Sequence, residues 1–167
     1  MELQRLGSPA LVVSSSPEET FALGRQISVM LGMGSVVALK GPLGAGKTCL
    51  VKGIASGLGI EEEVTSPSYT IVSEYDGIVP DKNNPEKKTP VRFYHIDAFR
   101  LGGNKDFSDI GGEEMIFGNG ISVIEWSERI PAFVPDSSLM VDIHIRKDEK
   151  RDILLYWGKG FNRNDAQ

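Results

Sequence analysis

The stretch Gly41-Pro42-Leu43-Gly44-Ala45-Gly46-Lys47-Thr48 decides the fold, because it fills every fixed position of the pattern G-x-x-x-x-G-K-[ST]. Its three glycines allow backbone angles that a Cβ atom disfavours, so successive N–H groups can turn inward around phosphate oxygens. Lys47 is expected to reach the β- and γ-phosphates, and the Thr48 hydroxyl is expected to ligate Mg²⁺. The motif therefore predicts the phosphate-binding loop of a nucleotide site.

The residues on both sides of the loop have the order that this motif requires. Residues 35–39 form a short apolar run that is typical of a buried parallel strand. Residues 48–58 carry apolar side chains at helical spacing, and Gly57 and Gly59 supply a stop. A helix N-terminus also attracts anions. The order of strand, glycine loop and helix favours a nucleotide site over a flexible glycine-rich loop that matches by chance.

The composition is that of one ordinary globular domain, and we expect a single domain over residues 1–167. The chain is 40% hydrophobic and 25% charged, which is enough for a substantial core. A formal net charge of −5 lacks the basic footprint of a direct nucleic-acid binder, so no DNA partner is expected. The single cysteine, Cys49, excludes an internal disulfide and a cysteine-rich zinc site. No apolar run reaches the length of a membrane helix and no signal peptide is evident, so a cytoplasmic protein is expected.

The remaining pattern predicts an α/β protein with a mixed sheet of parallel core strands and an antiparallel C-terminal hairpin, flanked by helices. A helix is expected to begin at Ser16 as N-cap, with Pro17 in the first position and Glu19 completing a capping box. Other strands are predicted near 10–13 and at 69–75, 91–97 and 121–125. Short helices or turns are predicted near 106–110 and 113–117. Residues 139–146 and 151–157 are predicted to form a hairpin that closes one edge of the sheet. Residues 76–90 resemble a surface excursion that connects two strands, and residues 158–167 a frayed tail.

Two acids end apolar strands, and a Mg–nucleotide site needs a carboxylate in that position near the loop. They are Asp97 and Glu125. Glu125 follows the more apolar strand and is the better candidate for a central position. The alternative for each is an acid bonded to a loop backbone. His95 shares a strand face with Asp97, and a packed, hydrogen-bonded role for it is more common than a catalytic one.

A hydroxyl-rich loop precedes the predicted strand at 69–75. It contains Thr65, Ser66 and Ser68 around Pro67, which prevents regular strand pairing. Two interpretations are equally supported by the residues. The segment is either an ordinary turn or a switch-like loop whose hydroxyl groups face the γ-phosphate or a water molecule.

Four motifs in this order resemble the TsaE (YjeE) family of P-loop ATPases in bacterial tRNA threonylcarbamoyladenosine (t6A) synthesis. They are the loop at 41–48, the segment Thr65-Ser66-Pro67-Ser68-Tyr69-Thr70-Ile71-Val72, the segment Tyr94-His95-Ile96-Asp97-Ala98-Phe99-Arg100-Leu101, and Ile124-Glu125-Trp126. The resemblance extends from about residue 16 to 157.

The resemblance implies ATP and Mg²⁺ as cofactors, with TsaB and TsaD as protein partners and tRNA reached only indirectly through their complex. It implies a catalytic set of Lys47, Asp97 and Glu125, and metal ligation by Thr48 and Glu125. It implies a switch-like role for Thr65, Ser66 and Ser68. The implied nucleotide contacts are Leu43, Gly44, Ala45, Gly46, Lys47, Thr48 and Cys49, with Pro17 and Arg151 at the periphery.

Three functions remain open from the sequence. The first is a Mg-dependent ATPase that drives a partner complex and turns over slowly alone, because no arginine finger is evident. The second is a small-molecule kinase, although no basic helical lid follows Glu125. The third is a nucleotide-binding scaffold without turnover.

Overall fold

A computed structural model describes residues 9–81, 84 and 86–158. The described residues form seven strands and four α-helices, with two 3₁₀ turns at Ser127–Arg129 and Pro131–Phe133. In chain order the elements are β1 (Ala10–Ser14), α1 (Pro17–Ser28), β2 (Val36–Lys40), α2 (Lys47–Gly57), β3 (Val72–Pro80), β4 (Lys88–Asp97), α3 (Asn104–Asp109), α4 (Gly112–Phe117), β5 (Ile121–Glu125), β6 (Leu139–Ile145) and β7 (Arg151–Trp157).

One mixed sheet has the strand order β1-β7-β6-β2-β5-β4-β3. The pairs β2–β5, β2–β6 and β4–β5 are parallel, whereas β3–β4, β6–β7 and β1–β7 are antiparallel. All five residues of β5 are buried, as expected of a parallel strand covered on both faces. The predicted α/β class with parallel core strands is confirmed.

Helices α1 and α2 cover one face of the sheet, and the shorter α3 and α4 cover part of the other. Helix α1 begins as predicted: Ser16 Oγ accepts a hydrogen bond from the Glu19 N–H, at 3.2 Å, and the Glu19 carboxylate accepts one from the Ser15 N–H. This capping fixes the start of α1. No helix in the described ranges is long and apolar enough to cross a membrane.

The edges of the sheet differ from the prediction in two places. The β6–β7 hairpin does not close the sheet, because β1 pairs along the outer side of β7. The strand predicted from residue 69 begins only at Val72, since Ile71 has a positive φ of 69° and its N–H donates to the Pro67 carbonyl. A positive φ at a β-branched residue interrupts an extended strand.

The connection between β3 and β4 is shorter than the predicted surface excursion at 76–90. The two strands pair from Val72↔Ile96 to Pro80↔Lys88, and Val79 and Val91 are buried. The excursion is therefore confined to residues 81–87, of which 82, 83 and 85 lie outside the described residues. Of the predicted tail, Gly158 donates its N–H to the Ser138 carbonyl, and residues 159–167 lie outside the described residues.

Candidate nucleotide-binding site

The glycine loop joins the central strand β2 to the N-terminus of α2. Gly44 and Gly46 have φ values of 75° and 103°, a conformation that L side chains rarely adopt. Gly46 is the N-cap of α2, and no side chain caps the helix there. The first turn of α2 therefore begins with backbone amides that no capping side chain engages, which suits an anion.

Lys47 is the first residue of α2, and its ammonium group lies inside the loop. Nζ donates to the carbonyls of Gly41 at 2.7 Å and Pro42 at 2.9 Å, and it lies 4.0 Å from the centroid of the Trp126 ring. The residue is only 5% exposed. Burial lowers the pKa of this ammonium group, while the charge of Glu125 opposes the shift. A poorly hydrated cation held by neutral carbonyls is well suited to a phosphate group.

Glu125 ends β5 at the point where this strand lies beside β2, opposite Leu39. The Thr48 hydroxyl donates to Oε1 of Glu125 at 2.8 Å, and His95 Nε2 lies 2.8 Å from the same oxygen. Within the described part of the chain, the other carboxylate oxygen, Oε2, makes no hydrogen bond. It is not fully buried either, so it is open to the cleft. The carboxylate thus offers one oxygen to a ligand.

Asp97 ends β4 directly beside Glu125 in the sheet register. Its Oδ1 accepts a hydrogen bond from the Phe99 N–H at 3.0 Å. Its Oδ2 accepts from the hydroxyl groups of Ser66 at 3.0 Å and Ser68 at 3.2 Å. Asp97 is therefore attached to the segment that the sequence identified as a turn or a switch-like loop.

A cleft of about 380 Å³ brings most of the predicted site residues together. The glycine loop and the start of α2 form one wall, and the ends of β4 and β5 form the other together with residues 66–68, which we call the serine loop. The lining residues are Leu43, Gly44, Ala45, Gly46, Lys47, Thr48, Cys49, Ser66, Ser68, Asp97, Phe99, Arg100, Glu125 and Trp126.

Three predicted residues lie outside that lining. Arg151 approaches the loop from β7, and its Nη2 donates to the Gly44 carbonyl at 3.3 Å. Pro17 lies beside the first turn of α2, where its carbonyl accepts a hydrogen bond from Cys49 Sγ at 3.2 Å. Thr65 is exposed. The half-buried Cys49 thiol has its pKa raised by burial, which disfavours the reactive thiolate.

Aromatic residues and an arginine at the cleft were not assigned from the sequence. Phe99 packs against Trp126 with ring centroids 5.0 Å apart, and the Arg100 guanidinium lies 4.7 Å from the centroid of the Tyr69 ring. Trp126 directly follows Glu125 and Arg100 lies three residues after Asp97, and this proximity to a predicted acid was the available signal for both. Phe99 had no such signal beyond its place between Asp97 and Arg100.

The oxygen donors at this site fit Mg²⁺ bound together with a nucleotide. Among residues 9–81, 84 and 86–158, no group of three or more His, Cys, Asp or Glu side chains is placed to hold a metal ion alone. Mg²⁺ is usually bound through one or two carboxylates together with phosphates and water. Thr48 Oγ1 and the open oxygen of Glu125 are hard oxygen donors at the glycine loop. They would hold such an ion.

A glycine loop between a central parallel strand and a helix, facing acids at the ends of neighbouring strands, defines a P-loop α/β protein. A family model described as "Threonylcarbamoyl adenosine biosynthesis protein TsaE" matches residues 14–153. The chain belongs to the TsaE family.

Individual proteins agree with the family match. The chain is 40% identical over 143 residues to the tRNA threonylcarbamoyladenosine biosynthesis protein TsaE of Treponema pallidum, covering 86% of this chain and 97% of that one. It is 36% identical over 139 residues to the protein of the same name from Bacillus subtilis, covering 83% and 79%. The crystal structure of Bacillus YdiB superposes with a TM-score of 0.69 at 30% identity and covers 89% of this chain and 84% of its own.

Proposed function

We propose that this TsaE-family protein binds and hydrolyses Mg–ATP, and that its turnover sustains a TsaB–TsaD complex in tRNA t6A synthesis. The names of the Treponema and Bacillus relatives support the pathway. One observation carries the nucleotide chemistry: Thr48 of the glycine loop lies 2.8 Å from Glu125 of a neighbouring strand. That contact unites the two groups that a Mg–nucleotide site requires.

The residues of the cleft have distinct roles in this proposal. The loop amides and Lys47 bind the phosphates and stabilise the charge that develops on them in the transition state. Mg²⁺, when bound, neutralises phosphate charge and aligns the reacting groups. The open oxygen of Glu125 serves the metal or its water shell. Asp97 holds Ser66 and Ser68 beside the phosphate position.

Hydrolysis by the isolated protein is expected to be slow. Arg100 is the one arginine among the residues that line the cleft, and its guanidinium group is stacked on Tyr69. Arg129 lies over Phe99, 5.4 Å from the ring centroid. Because a positioned arginine accelerates phosphoryl transfer by about 10³–10⁵-fold, a partner that supplies or repositions one would raise the rate.

The test is phosphate release from ATP by the protein alone, with TsaB and TsaD, and with each partner separately. We expect Mg-dependent turnover that rises when both partners are present. Lys47→Ala should abolish it, whereas Lys52→Ala, an exposed lysine on the same helix, should leave it unchanged. The acidic chain should not retain tRNA in the absence of its partners.

Three results would contradict this function. A full enzymatic rate without any partner effect would remove the proposed coupling. Tight ATP binding without phosphate release, even with both partners, would identify a scaffold. Transfer of the γ-phosphoryl group to a metabolite would identify a kinase.

A further inference from the structure

A fully buried histidine contacts the acid of the site from the neighbouring strand. His95 lies on β4, on the face that also carries Phe93 and Asp97, and it is opposite Val123 of β5. Its imidazole reaches diagonally to Glu125, with Nε2 2.8 Å from Oε1. A distance of 2.8 Å between these two atoms requires a proton between them.

We propose that His95 is a positioning residue that turns the Glu125 carboxylate so that Oε2 faces the cleft. The inference rests on the proposed function, since the orientation of Glu125 matters only if this carboxylate serves a Mg–nucleotide. His95 acts through Glu125, and it is itself 0% exposed.

Both donors to Glu125 bind the same oxygen, and this selects the orientation. Thr48 approaches Oε1 from the start of α2, and His95 approaches it from β4. The terminal torsion of a glutamate is broad, so the plane of an unrestrained carboxylate would rotate about its last bond and neither oxygen would be held toward the cleft. Two donors on Oε1 hold Oε2 in the open position.

The contribution of Thr48 and that of His95 differ once a metal is bound. If the Thr48 hydroxyl ligates Mg²⁺ as proposed, a lone pair of its oxygen binds the cation while its O–H still donates to Oε1, so its position has to suit both partners. His95 is buried away from the cleft and retains its contact. Of these two donors to Oε1, it is then the one that does not itself meet the metal.

Simple packing does not explain this side chain. His95 Nδ1 is buried and has no hydrogen-bond partner among the described residues. An unpaired buried acceptor destabilises a fold, and an apolar side chain of similar size would avoid it. The polar ring is explained by the bond that its other nitrogen makes with Glu125.

Calorimetric titration of ATP, in excess EDTA and in excess Mg²⁺, tests the proposal without measuring hydrolysis. Loss of a residue that orients a metal ligand typically reduces metal affinity or activity by about 10–100-fold. His95→Leu should reduce the Mg²⁺-dependent gain in ATP affinity by about 10-fold or more, and should leave the affinity in EDTA nearly unchanged. His95→Gln, which places an amide N–H at a similar reach, should retain most of the gain. Phe93→Leu, two residues away on the same face, is the packing control and should retain all of it.

Two results of this titration would overturn the proposal. One is an unchanged Mg²⁺-dependent gain in a folded His95→Leu protein. The other is an equal loss of ATP affinity in EDTA and in Mg²⁺, which would indicate a structural role only.

A second measurement uses the unmodified chain and does not depend on the folding of a variant. Long-range ¹H–¹⁵N correlation spectra assign the protonated nitrogen of each of the two histidines. We expect His95 to carry a slowly exchanging proton on Nε2, and a proton on Nδ1 alone would overturn the proposal. If the unmodified chain bound ATP without any Mg²⁺ effect but showed the Nε2 proton, the proposed function would fail, while the predicted His95–Glu125 contact would stand.

Discussion

The close contact between α1 and α2 makes a strong and measurable prediction for Gly53→Ala. A Cβ atom at Gly53 would lie 2.1 Å from the Phe21 carbonyl oxygen and 2.9 Å from its carbon. The reciprocal position, Gly24, would place a Cβ 2.3 Å from the Leu50 carbonyl oxygen. Because the clashing atoms belong to the backbone, no side-chain rotation relieves them, and the helices would have to separate by about 1 Å.

The magnitude follows from two opposing effects. Alanine in place of glycine inside a helix stabilises it by about 1 kcal/mol. Overpacking of a rigid contact costs about 3 kcal/mol, the upper part of the usual range, because backbone faces backbone. The net loss of about 2 kcal/mol should lower the melting temperature by about 4–8 °C for a chain of this size.

The same displacement should reach the nucleotide site. Helix α2 carries Lys47 and Thr48 in its first turn, and a misplacement of about 1 Å can reduce a catalytic rate by about 100-fold. Thermal unfolding followed by circular dichroism, with phosphate release measured below the transition, tests both effects. The control is Gly32→Ala, because a Cβ there meets nothing within 4 Å and should change stability by less than about 0.5 kcal/mol. If the unfolding temperature of Gly53→Ala matched that of the unmodified chain, the backbone contact between the helices would be refuted.

Further predictions concern the charged and hydroxyl groups of the cleft. Lys47→Ala should abolish binding of the nucleotide phosphates, and detectable ATP binding by equilibrium dialysis would contradict the role of this lysine. Glu125→Ala should weaken Mg²⁺-dependent turnover more than nucleotide binding, and an unchanged dependence of the rate on Mg²⁺ concentration would exclude it as a metal residue. Replacing both Ser66 and Ser68 by alanine removes two hydrogen bonds to the Asp97 carboxylate, each contributing about 1.5–3 kcal/mol. Amide exchange near residue 66 should then accelerate, and unchanged protection would show that these bonds do not order the loop.

Local patterns in the sequence were sufficient where neighbours along the chain determine the structure. The predicted strand at 121–125 matches β5 at both ends, because a short apolar run in an α/β chain is buried on both faces. The cap at Ser16 was likewise correct, since the groups that form it are three residues apart. The glycine loop and its flanking elements also required only short-range information.

Contacts between distant segments could not be derived in this way. Nothing in residues 10–14 indicates that β1 covers β7, because strand pairing depends on the completed sheet. The positive φ of Ile71 contradicts the preference of a β-branched residue, and it is supported by the bond from its N–H to Pro67 and by the bond from Asp97 N–H to its carbonyl. The hydrogen bond from His95 to Glu125 spans 30 positions. The buried Nδ1 atom of His95 has no hydrogen-bond partner among the described residues. Only the three-dimensional structure reveals this feature, which distinguishes His95 from an ordinary packed histidine.

The sequence left undecided how the two acids divide their work, and their hydrogen bonds give a physical basis for an answer. Asp97 and Glu125 are register partners on adjacent parallel strands, so two carboxylate charges there repel and the donors around each one offset that repulsion. Both oxygens of Asp97 accept hydrogen bonds from the chain, and two of these three bonds come from the serine loop. Glu125 has both donors on one oxygen and the other open. A carboxylate whose two oxygens both accept hydrogen bonds from the chain holds those segments of the chain in place. A carboxylate with one open oxygen can bind a ligand. We therefore expect Asp97 to control the position of residues 66–68 and Glu125 to meet the metal. Substituting Asp97 should then loosen the loop more than it weakens Mg²⁺ binding.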